Sequence, residues 1–270
     1  MKAMILAAGI GTRLRPLTDN RPKALVTIAG RTLLEVTLRR LRALGVCEAI
    51  VNVHHHAGMI VDYLRAHNNF GMRIEISREE HLLDTGGGLK NAAFFFLEPG
   101  PDLGQPFILH NVDVVSNIDL RAMVSFHSKC GALATLAVQN RKSSRLLLFN
   151  NSSQLCGRRI ARSSPAAGQG AIELENQIAR PCADAAALAF SGIHVISPQI
   201  FAAMQEVSAF SIIDAYLDLA AREEKVVGFR ADDSYWRDLG RPESLLAAEN
   251  DLVSGRYPEV FGSSVEGGTV

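Results

Sequence analysis

Residues 6–25 of the chain read LAAGIGTRLRPLTDNRPKAL, and they follow an apolar stretch that begins at Ala3. The apolar stretch, residues 3–7, predicts a buried strand that runs directly into a loop containing Gly9 and Gly11. Because glycine has no Cβ atom, the backbone N–H groups of such a loop can close around an anion. The opening of the chain therefore predicts an anion-binding loop at the end of a strand.

Two cations follow the glycines, Arg13 within the loop and Lys23 beyond it. Holding a guanidinium and an ammonium together is costly unless they face an anion that carries several charges. We therefore expect a triphosphate-binding site that uses Ala7, Ala8, Gly9, Gly11, Thr12, Arg13 and Lys23.

Other glycine-rich loops fit the stretch less well. A dinucleotide-binding loop has a third glycine where Leu14 stands, and a P-loop has its lysine directly after a glycine, whereas Pro22 precedes Lys23 here. A surface turn at the end of a strand would be the better interpretation of two glycines alone. The two cations and the preceding strand favour the phosphate site over that turn.

Composition limits the classes of partner. The chain has 270 residues, with 28 Lys and Arg against 28 Asp and Glu, so its formal net charge is zero. This balance argues against nucleic acid or an anionic membrane as a partner. No apolar run reaches the length of a membrane span. Four cysteines without a Cys-x-x-Cys pair predict reduced thiols and a cytoplasmic location; they are Cys47, Cys130, Cys156 and Cys182.

Strand and helix patterns alternate through the first half of the chain. Strands are predicted over 3–7, 49–53, 72–77, 107–110 and 133–138, and helices over 32–44, 57–67, 89–96 and 120–129. Such alternation predicts an α/β fold with a parallel sheet covered by helices on both faces. Ligands of these sheets bind at the carboxyl ends of the strands, where the predicted phosphate loop lies.

Further motifs follow the first in a recognisable order. After GTRLRPLT and PKALV, the chain carries LLE at 33–35, DTGGG at 84–88, NVD at 111–113, FSGI at 190–193 and WRDLG at 236–240. Over about residues 1–253 this series resembles the sugar-1-phosphate nucleotidylyltransferases. The TGGG form and the short chain most resemble the N-acetylmuramate-1-phosphate uridylyltransferase branch and its mannose-1-phosphate guanylyltransferase relatives.

The resemblance implies a single Rossmann-like, GT-A-like domain with a mixed, mostly parallel sheet. It implies an enzyme that condenses a nucleoside triphosphate with a sugar 1-phosphate and releases pyrophosphate. Residues 1–139 would form the nucleotide-binding half, 140–253 the sugar-phosphate-binding half of the same fold, and 254–270 a flexible tail. The resemblance leaves open whether the chain acts as a monomer or as a homo-oligomer.

The resemblance also implies roles for individual residues. Arg13, Lys23 and Asp113 would be catalytic, Asn111 and Gly192 would lie against the sugar, and the nucleotide would also contact Thr85, Gly86, Gly87 and Gly88. Asp113 and Asp238 would bind Mg²⁺. This fits the chemistry, because a carboxylate facing a triphosphate is repelled unless a divalent cation lies between them, and Mg²⁺ prefers one or two carboxylates plus phosphate oxygens.

Each aspartate also has a structural alternative, Asp113 as the N-cap of a helix and Asp238 as the cap of a turn. The chain departs from the family pattern at Val112 and Arg241, and it lacks the family's Glu-Lys-Pro lysine, for which Arg180 is a candidate. Two other functions therefore stay open. One is a cytidylyltransferase for a phosphorylated alcohol such as phosphocholine, and the other is a regulatory protein that binds nucleotide-sugars without turnover.

Overall fold

The computed structural model describes residues 1–163, 172–182, 184–206 and 208–256. Strands are β1 Lys2–Leu6, β2 Thr27–Ile28, β3 Arg31–Thr32, β4 Glu48–Val53, β5 Arg73–Arg78, β6 Phe107–Asn111, β7 Val114–Ser116, β8 Ala134–Gln139, β9 Arg145–Phe149, β10 Leu155–Ser163, β11 Ile172–Ile178, β12 Ala186–Ile196, β13 Val226–Arg230 and β14 Trp236–Asp238. Helices are α1 Leu33–Leu44, α2 Ala57–Ala66, α3 Asp84–Asn91, α4 Ala93–Phe96, α5 Leu120–Cys130, α6 Ile200–Ala203, α7 Ile212–Ala221 and α8 Pro242–Val253.

The central sheet is mixed. Four of its strands are parallel, in the order β5-β4-β1-β6, with Ile5 opposite Val51 on one side and His110 on the other. β12 then pairs antiparallel with β6, and β8 and β13 follow beyond it. The predicted α/β class and the mixed, mostly parallel sheet of a single domain are confirmed.

Alternating side chains of β1 pack on opposite faces of this sheet. Ile5 joins the cluster that includes Leu34 and Leu41 of α1, whereas Met4 joins the cluster that includes Phe95 and Tyr216. All six are fully or almost fully buried, and each such side chain contributes about 1.5–3 kcal/mol relative to exposure. The period of two along the strand therefore explains why helices cover both faces.

The first long helix shows how local sequence sets an element's ends. Thr32 caps α1 by accepting the N–H of Glu35 on its hydroxyl at 3.1 Å. Gly45 ends the helix with φ +100°, a conformation that favours glycine. The prediction of a helix over 32–44 is confirmed to within one residue.

The eleven-residue strand β12 joins the two halves of the chain. Its first residues, 186–188, pair with β9, and its last residues, 193–196, pair with β6. Gly192 lies at φ +74°, within the segment where the register between β12 and β8 shifts. The sequence Asn150-Asn151-Ser152-Ser153 predicts a hairpin turn between 146–149 and 154–156, and this hairpin is present as β9 and β10, which β11 extends.

Some sequence predictions were wrong or fall elsewhere. The structure joins Cys156 to Cys182 in a disulfide with Cα atoms 6.0 Å apart, so the expectation of four reduced thiols fails. The antiparallel pairing of Gly157 with Ile178 brings together the two ends of the segment that the disulfide closes. The Ser, Pro and Gly residues of 163–170 predict a mobile loop, of which residues 164–170 lie outside the described residues, as do residues 257–270 of the predicted tail.

None of the helices in the described part of the chain has the length and the apolar composition needed to cross a membrane.

Candidate active site

The carboxyl ends of β1, β4 and β6 meet at a cavity of about 380 Å³. The backbone N–H of Ala7 donates to Asn52 Oδ1 at 2.8 Å, which fixes the loop after β1 against the end of β4. The cavity is lined by Leu6, Ala7, Ala8, Gly9, Lys23, Asn52, Glu79, Leu82, Asp84, Thr85, Asn111, Val112 and Asp113. We call it the small cavity.

The two glycines of the loop serve different ends. A Cβ on Gly9 would have nothing within 4 Å, so this position is open on the side where a ligand would lie. Gly11 has φ +73°, and a Cβ there would lie 3.0 Å from Thr18 Cγ2 and 3.1 Å from Lys23 Cβ. Thr18 also donates its hydroxyl to the carbonyl of Gly11 at 2.8 Å. Gly11 therefore lets the loop close down on Lys23.

Lys23 and Asp113 form an ion pair through Nζ and Oδ2. Their side chains are only 12% and 15% exposed, so the pair is largely shielded from solvent. Lys23 starts a short 3₁₀ helix, Lys23–Leu25, directly after Pro22. This burial excludes a surface position for Lys23.

A small antiparallel sheet that the sequence did not predict brings the two aspartates together. β14 pairs with β7 so that Asp238 lies opposite Val114, and the N–H of Leu239 donates to the carbonyl of Asp113 at 2.8 Å. Asp119, not Asp113, caps α5 by accepting the N–H of Ala122 at 2.9 Å. The capping alternative for Asp113 is therefore wrong.

Asp238 does accept a turn hydrogen bond, from the N–H of Gly240 at 2.6 Å. The space beside Gly240 shows what surrounds that carboxylate. A Cβ there would lie 2.7 Å from Asp238 Oδ1, 2.9 Å from Arg13 Nη2 and 3.3 Å from Lys23 Nζ. The two cations of the first motif and the carboxylate of the last one therefore converge on one point.

The carboxylates of Asp113 and Asp238 suit a hard divalent cation whose remaining ligands are phosphate oxygens and waters. In the described residues, no group of three or more His, Cys, Asp or Glu side chains could hold a metal ion. Mg²⁺ nevertheless needs only one or two carboxylates when phosphate oxygens and waters complete its shell. Asp113 and Asp238 fit that description.

The Thr-Gly-Gly-Gly segment is arranged differently from expectation. α3 begins at Asp84, not at Leu89 as predicted, so the glycines lie inside the helix. A Cβ on Gly86 would lie 2.3 Å from Phe210 Cε2, and the amides of Gly86 and Gly87 donate to the carbonyl of Phe210. Thr85 reaches the small cavity, whereas the three glycines pack against the chain itself.

A larger cavity of about 890 Å³ adjoins the small one, and Asp84, Thr85 and Asn111 line both. Asn111, Gly192 and Asp238 lie in its wall, as does Trp236. A Cβ on Gly192 would lie 3.0 Å from Asn111 Nδ2, so the glycine lets β12 approach the end of β6. We call this space the large cavity.

Sequence reasoning named none of the four arginines that line the large cavity, which are Arg141, Arg145, Arg158 and Arg159. Arg141 lines it, with the guanidinium carbon 3.6 Å from the centre of the Trp236 ring. Arg180 lines neither cavity and donates to Gln154 Oε1 at 3.0 Å. Arg241 is exposed and lies 3.6 Å from Glu243. Arg141 follows β8 without any motif, so only the tertiary structure identifies it.

A model of the family described as nucleotidyl transferase matches residues 2–146. The chain belongs to the nucleotidyl transferase family. This nucleotidyl transferase is 34% identical to the N-acetylmuramate alpha-1-phosphate uridylyltransferase of Caulobacter vibrioides over 254 residues, which are 93% of this chain and 96% of that protein. It is 27% identical to a mannose-1-phosphate guanylyltransferase of Mycobacterium tuberculosis over 271 residues, 95% of this chain and 66% of that protein.

Solved structures show the same fold. HddC from Yersinia pseudotuberculosis, in complex with GMP-PN, has a TM-score of 0.69 and 22% identity, with 93% of this chain and 99% of that chain covered. A UDP-glucose pyrophosphorylase in complex with UDP-glucose has a TM-score of 0.70 and 18% identity, with 94% and 99% covered. These structures confirm the GT-A-like fold, and the family model with the uridylyltransferase and guanylyltransferase relatives confirms the assignment to the sugar-1-phosphate nucleotidyltransferases.

Proposed function

We propose that the nucleoside triphosphate binds in the small cavity and the sugar 1-phosphate in the large one, and that they react where the cavities meet. Thr85 and Asn111 line both spaces, so substrates bound there would touch. The convergence of Arg13, Lys23 and Asp238 on the point beside Gly240 carries this proposal. In this interpretation residues 1–139 bind the nucleotide and 140–253 the sugar phosphate.

Catalysis on this arrangement is positioning plus neutralisation of charge. The loop amides after Ala7, together with Arg13, would hold the β- and γ-phosphates. Lys23 would face the reacting α-phosphate, where preorganised charge stabilises the transition state most. Its pairing with Asp113 holds the ammonium in that place before substrate arrives.

Mg²⁺ is the cofactor that Asp113 and Asp238 would hold. When bound, it would offset the charge of the phosphates and orient them. The protein's own contribution is to keep the two carboxylates adjacent through the pairing of β7 with β14.

The cytidylyltransferase alternative needs an aromatic cage for a quaternary ammonium group. Trp236 and Phe190 are the aromatic side chains in the wall of the large cavity. Arg141 already stacks on Trp236, and a bound ammonium would meet that guanidinium. The non-catalytic alternative leaves the buried pair of Lys23 and Asp113 without a purpose. Neither alternative fits as well.

Release of pyrophosphate tests the proposal. UTP, GTP, CTP, ATP and dTTP would each be combined with N-acetylmuramate 1-phosphate, mannose 1-phosphate and glucose 1-phosphate in the presence of Mg²⁺. UTP with N-acetylmuramate 1-phosphate is the first pair to test, because the Caulobacter relative matches along almost the whole chain. Phosphocholine serves as the competing acceptor, and mass spectrometry identifies the product. Turnover with phosphocholine alone would reject the proposal.

A cytoplasmic location is part of the proposal, since nucleoside triphosphates are made and used there. The disulfide removes the cysteine argument for it. Whether the chain acts as a monomer or a homo-oligomer stays open.

A further inference from the structure

The large cavity contains polar atoms that the protein leaves without partners. Among the described residues, Arg141 Nε, Arg158 Nε and His194 Nε2 are buried nitrogen atoms that make no hydrogen bond, and all three residues line this cavity. Buried polar groups are ordinarily satisfied, and those that the chain does not satisfy commonly meet a ligand or ordered water. The cavity is therefore built for a polar ligand.

The three groups differ in charge. Arg158 is neutralised by Asp214, whose Oδ1 lies 2.6 Å from its Nη1. His194 is uncharged at neutral pH, because burial lowers its pKa to about 3, and its Nδ1 lies 2.9 Å from the hydroxyl of Tyr216. Arg141 is the cation of the three that forms no ion pair with a carboxylate in the described part of the chain, and its Nη2 donates only to the carbonyl of Phe190 at 2.7 Å.

The position of Arg141 relative to the reacting centre follows from the strand beneath it. Trp236 and Asp238 are two residues apart on β14, so their side chains lie on the same face. The guanidinium stacks on the Trp236 ring at 3.6 Å and therefore lies on the Asp238 side of the strand. Trp236 is itself fixed, because its Nε1 donates to the carbonyl of Ser191 at 2.7 Å.

The electrostatics agree with this position. Burial lowers the pKa of Arg141, and the charge of Asp238 opposes that shift. Asp238 is thus a source of negative charge that acts on Arg141, although it is also the residue assigned above to the metal. An anion that entered beside Asp238 would give Arg141 a negatively charged partner, which no carboxylate of the described residues provides.

We propose that Arg141 binds the phosphate group of the sugar 1-phosphate and holds it beside Asp238. This inference rests on the proposed function and names the residue that positions its acceptor. A guanidinium held flat on an indole presents its remaining N–H groups along one plane, which matches two oxygens of a phosphate. Lysine could supply the charge but neither the stacking nor the paired donors.

The step that Arg141 would serve is a displacement at phosphorus. A free oxygen of the acceptor phosphate forms a bond to the α-phosphorus of the nucleoside triphosphate, and the bond from that phosphorus to the bridging β-oxygen breaks. The electron pair leaves with pyrophosphate, so no further reactant is needed. Arg141 would hold the other oxygens of the acceptor and thereby aim the attacking one.

Kinetics of matched variants test this role. Arg141→Ala should raise the KM for the sugar 1-phosphate on the order of 10- to 100-fold, the loss expected for a charge-assisted pair of hydrogen bonds. Its KM and calorimetric Kd for the nucleoside triphosphate should stay within about twofold, and Arg141→Lys should fall between wild type and Arg141→Ala. Arg180→Ala removes an arginine outside both cavities and should leave every parameter unchanged. An acceptor KM that does not change in Arg141→Ala, or an equal loss of triphosphate affinity, would overturn the inference.

Fluorescence separates this inference from the proposed function. Trp236 is the only tryptophan of the chain, so intrinsic fluorescence reports on the ring that Arg141 covers. Mannose 1-phosphate and N-acetylmuramate 1-phosphate, each titrated with and without UTP, should change this signal saturably in wild type and far more weakly in Arg141→Ala. Saturable binding without any release of pyrophosphate would reject the proposed function and leave Arg141 as the phosphate ligand. Pyrophosphate release without an Arg141-dependent signal would support the proposed function and reject Arg141 as the phosphate ligand.

Discussion

Lys23 of the first motif and Asp113 at the end of β6 form a largely buried ion pair at the small cavity. The two residues are 90 positions apart in the chain, and the loop closed by Gly11 brings them together. A buried cation and anion stabilise each other, and loss of one partner leaves the other uncompensated. This pair therefore links the stability of the site to its chemistry.

Lys23→Ala should lower kcat far more than it weakens binding of the triphosphate. Loss of one preorganised charge at the reacting phosphate costs roughly 10²–10³ in rate. Arg13→Ala should mainly weaken binding, because the proposed function assigns Arg13 to the terminal phosphates. Steady-state kinetics and calorimetric titration separate the two effects. An unchanged kcat in Lys23→Ala would leave a nucleotide-binding loop without its proposed catalyst.

Asp113→Asn and Asp238→Asn should each abolish turnover while the protein stays folded, because each removes half of the metal-binding charge. EDTA should stop the wild-type reaction, and added Mg²⁺ should restore it. Asp119→Asn is the matched control, since asparagine caps a helix about as well as aspartate and α5 lies outside the site. Either site variant with near-wild-type activity at low Mg²⁺ would contradict the two-carboxylate site.

Gly240→Ala should reduce kcat/KM at least about tenfold with little loss of stability. The new methyl group would crowd Asp238, Arg13 and Lys23, whose flexible ends can move away but then leave their catalytic positions. Gly58→Ala in α2 is the control, because a Cβ there meets nothing within 4 Å and alanine favours a helix by about 0.8–1 kcal/mol. Activity assays and thermal unfolding distinguish the outcomes. Equal loss of activity and stability in Gly240→Ala would indicate a purely structural glycine.

Acidification should destabilise the fold through buried histidines. His127 Nδ1 lies 2.9 Å from the Thr135 hydroxyl and Nε2 lies 2.9 Å from Ser197 Oγ, and burial lowers the pKa of His127 to about 4. The unfolded chain, with a histidine pKa near 6.5, takes up the proton first as the pH falls. The stability that the neutral ring provides is present above about pH 6.5 and is lost toward pH 4.

Protonation of one buried histidine changes the free energy of unfolding by a defined amount per pH unit. A single histidine in this range contributes about 1.4 kcal/mol of unfolding free energy per pH unit. His127→Gln cannot be protonated and should lose about 2 kcal/mol less than wild type between pH 6.5 and 5, measured by urea denaturation. His81→Gln, at an exposed position, should follow the wild type. Parallel curves for wild type and His127→Gln would reject this account.

Residues 1–139 were largely predictable from sequence because the residue patterns that indicate their strands and helices are local. The apolar run before Gly9 and the helical period from Leu33 to Leu44 each lie in one short segment. The glycines after Thr85 led to a predicted start of α3 at Leu89, because glycine favours loops in isolation. In the folded chain, Phe210 packs over Gly86 and stabilises the helix from Asp84.

The sequence motifs indicated residues of the candidate site but not the contacts between them. Sequence motifs indicated Lys23, Asp113 and Asp238, but nothing in them showed that β7 pairs with β14 or that Lys23 pairs with Asp113. Arg141 lay outside every motif, and the stacking that fixes it depends on a ring 95 residues away. Contacts of this kind form only in the folded chain.

The pairing of β12 with β6 at one end and β9 at the other has a consequence for how such a site can diversify. Because one continuous strand carries both contacts, the spacing between the two cavities is set by hydrogen-bond register and needs no hinge to establish it. Changes in the β9–β11 hairpins can then reshape the wall of the large cavity while Lys23 and Asp113 keep their places. If the acceptor binds there, as proposed, a change of acceptor requires no rebuilding of the Lys23–Asp113 pair.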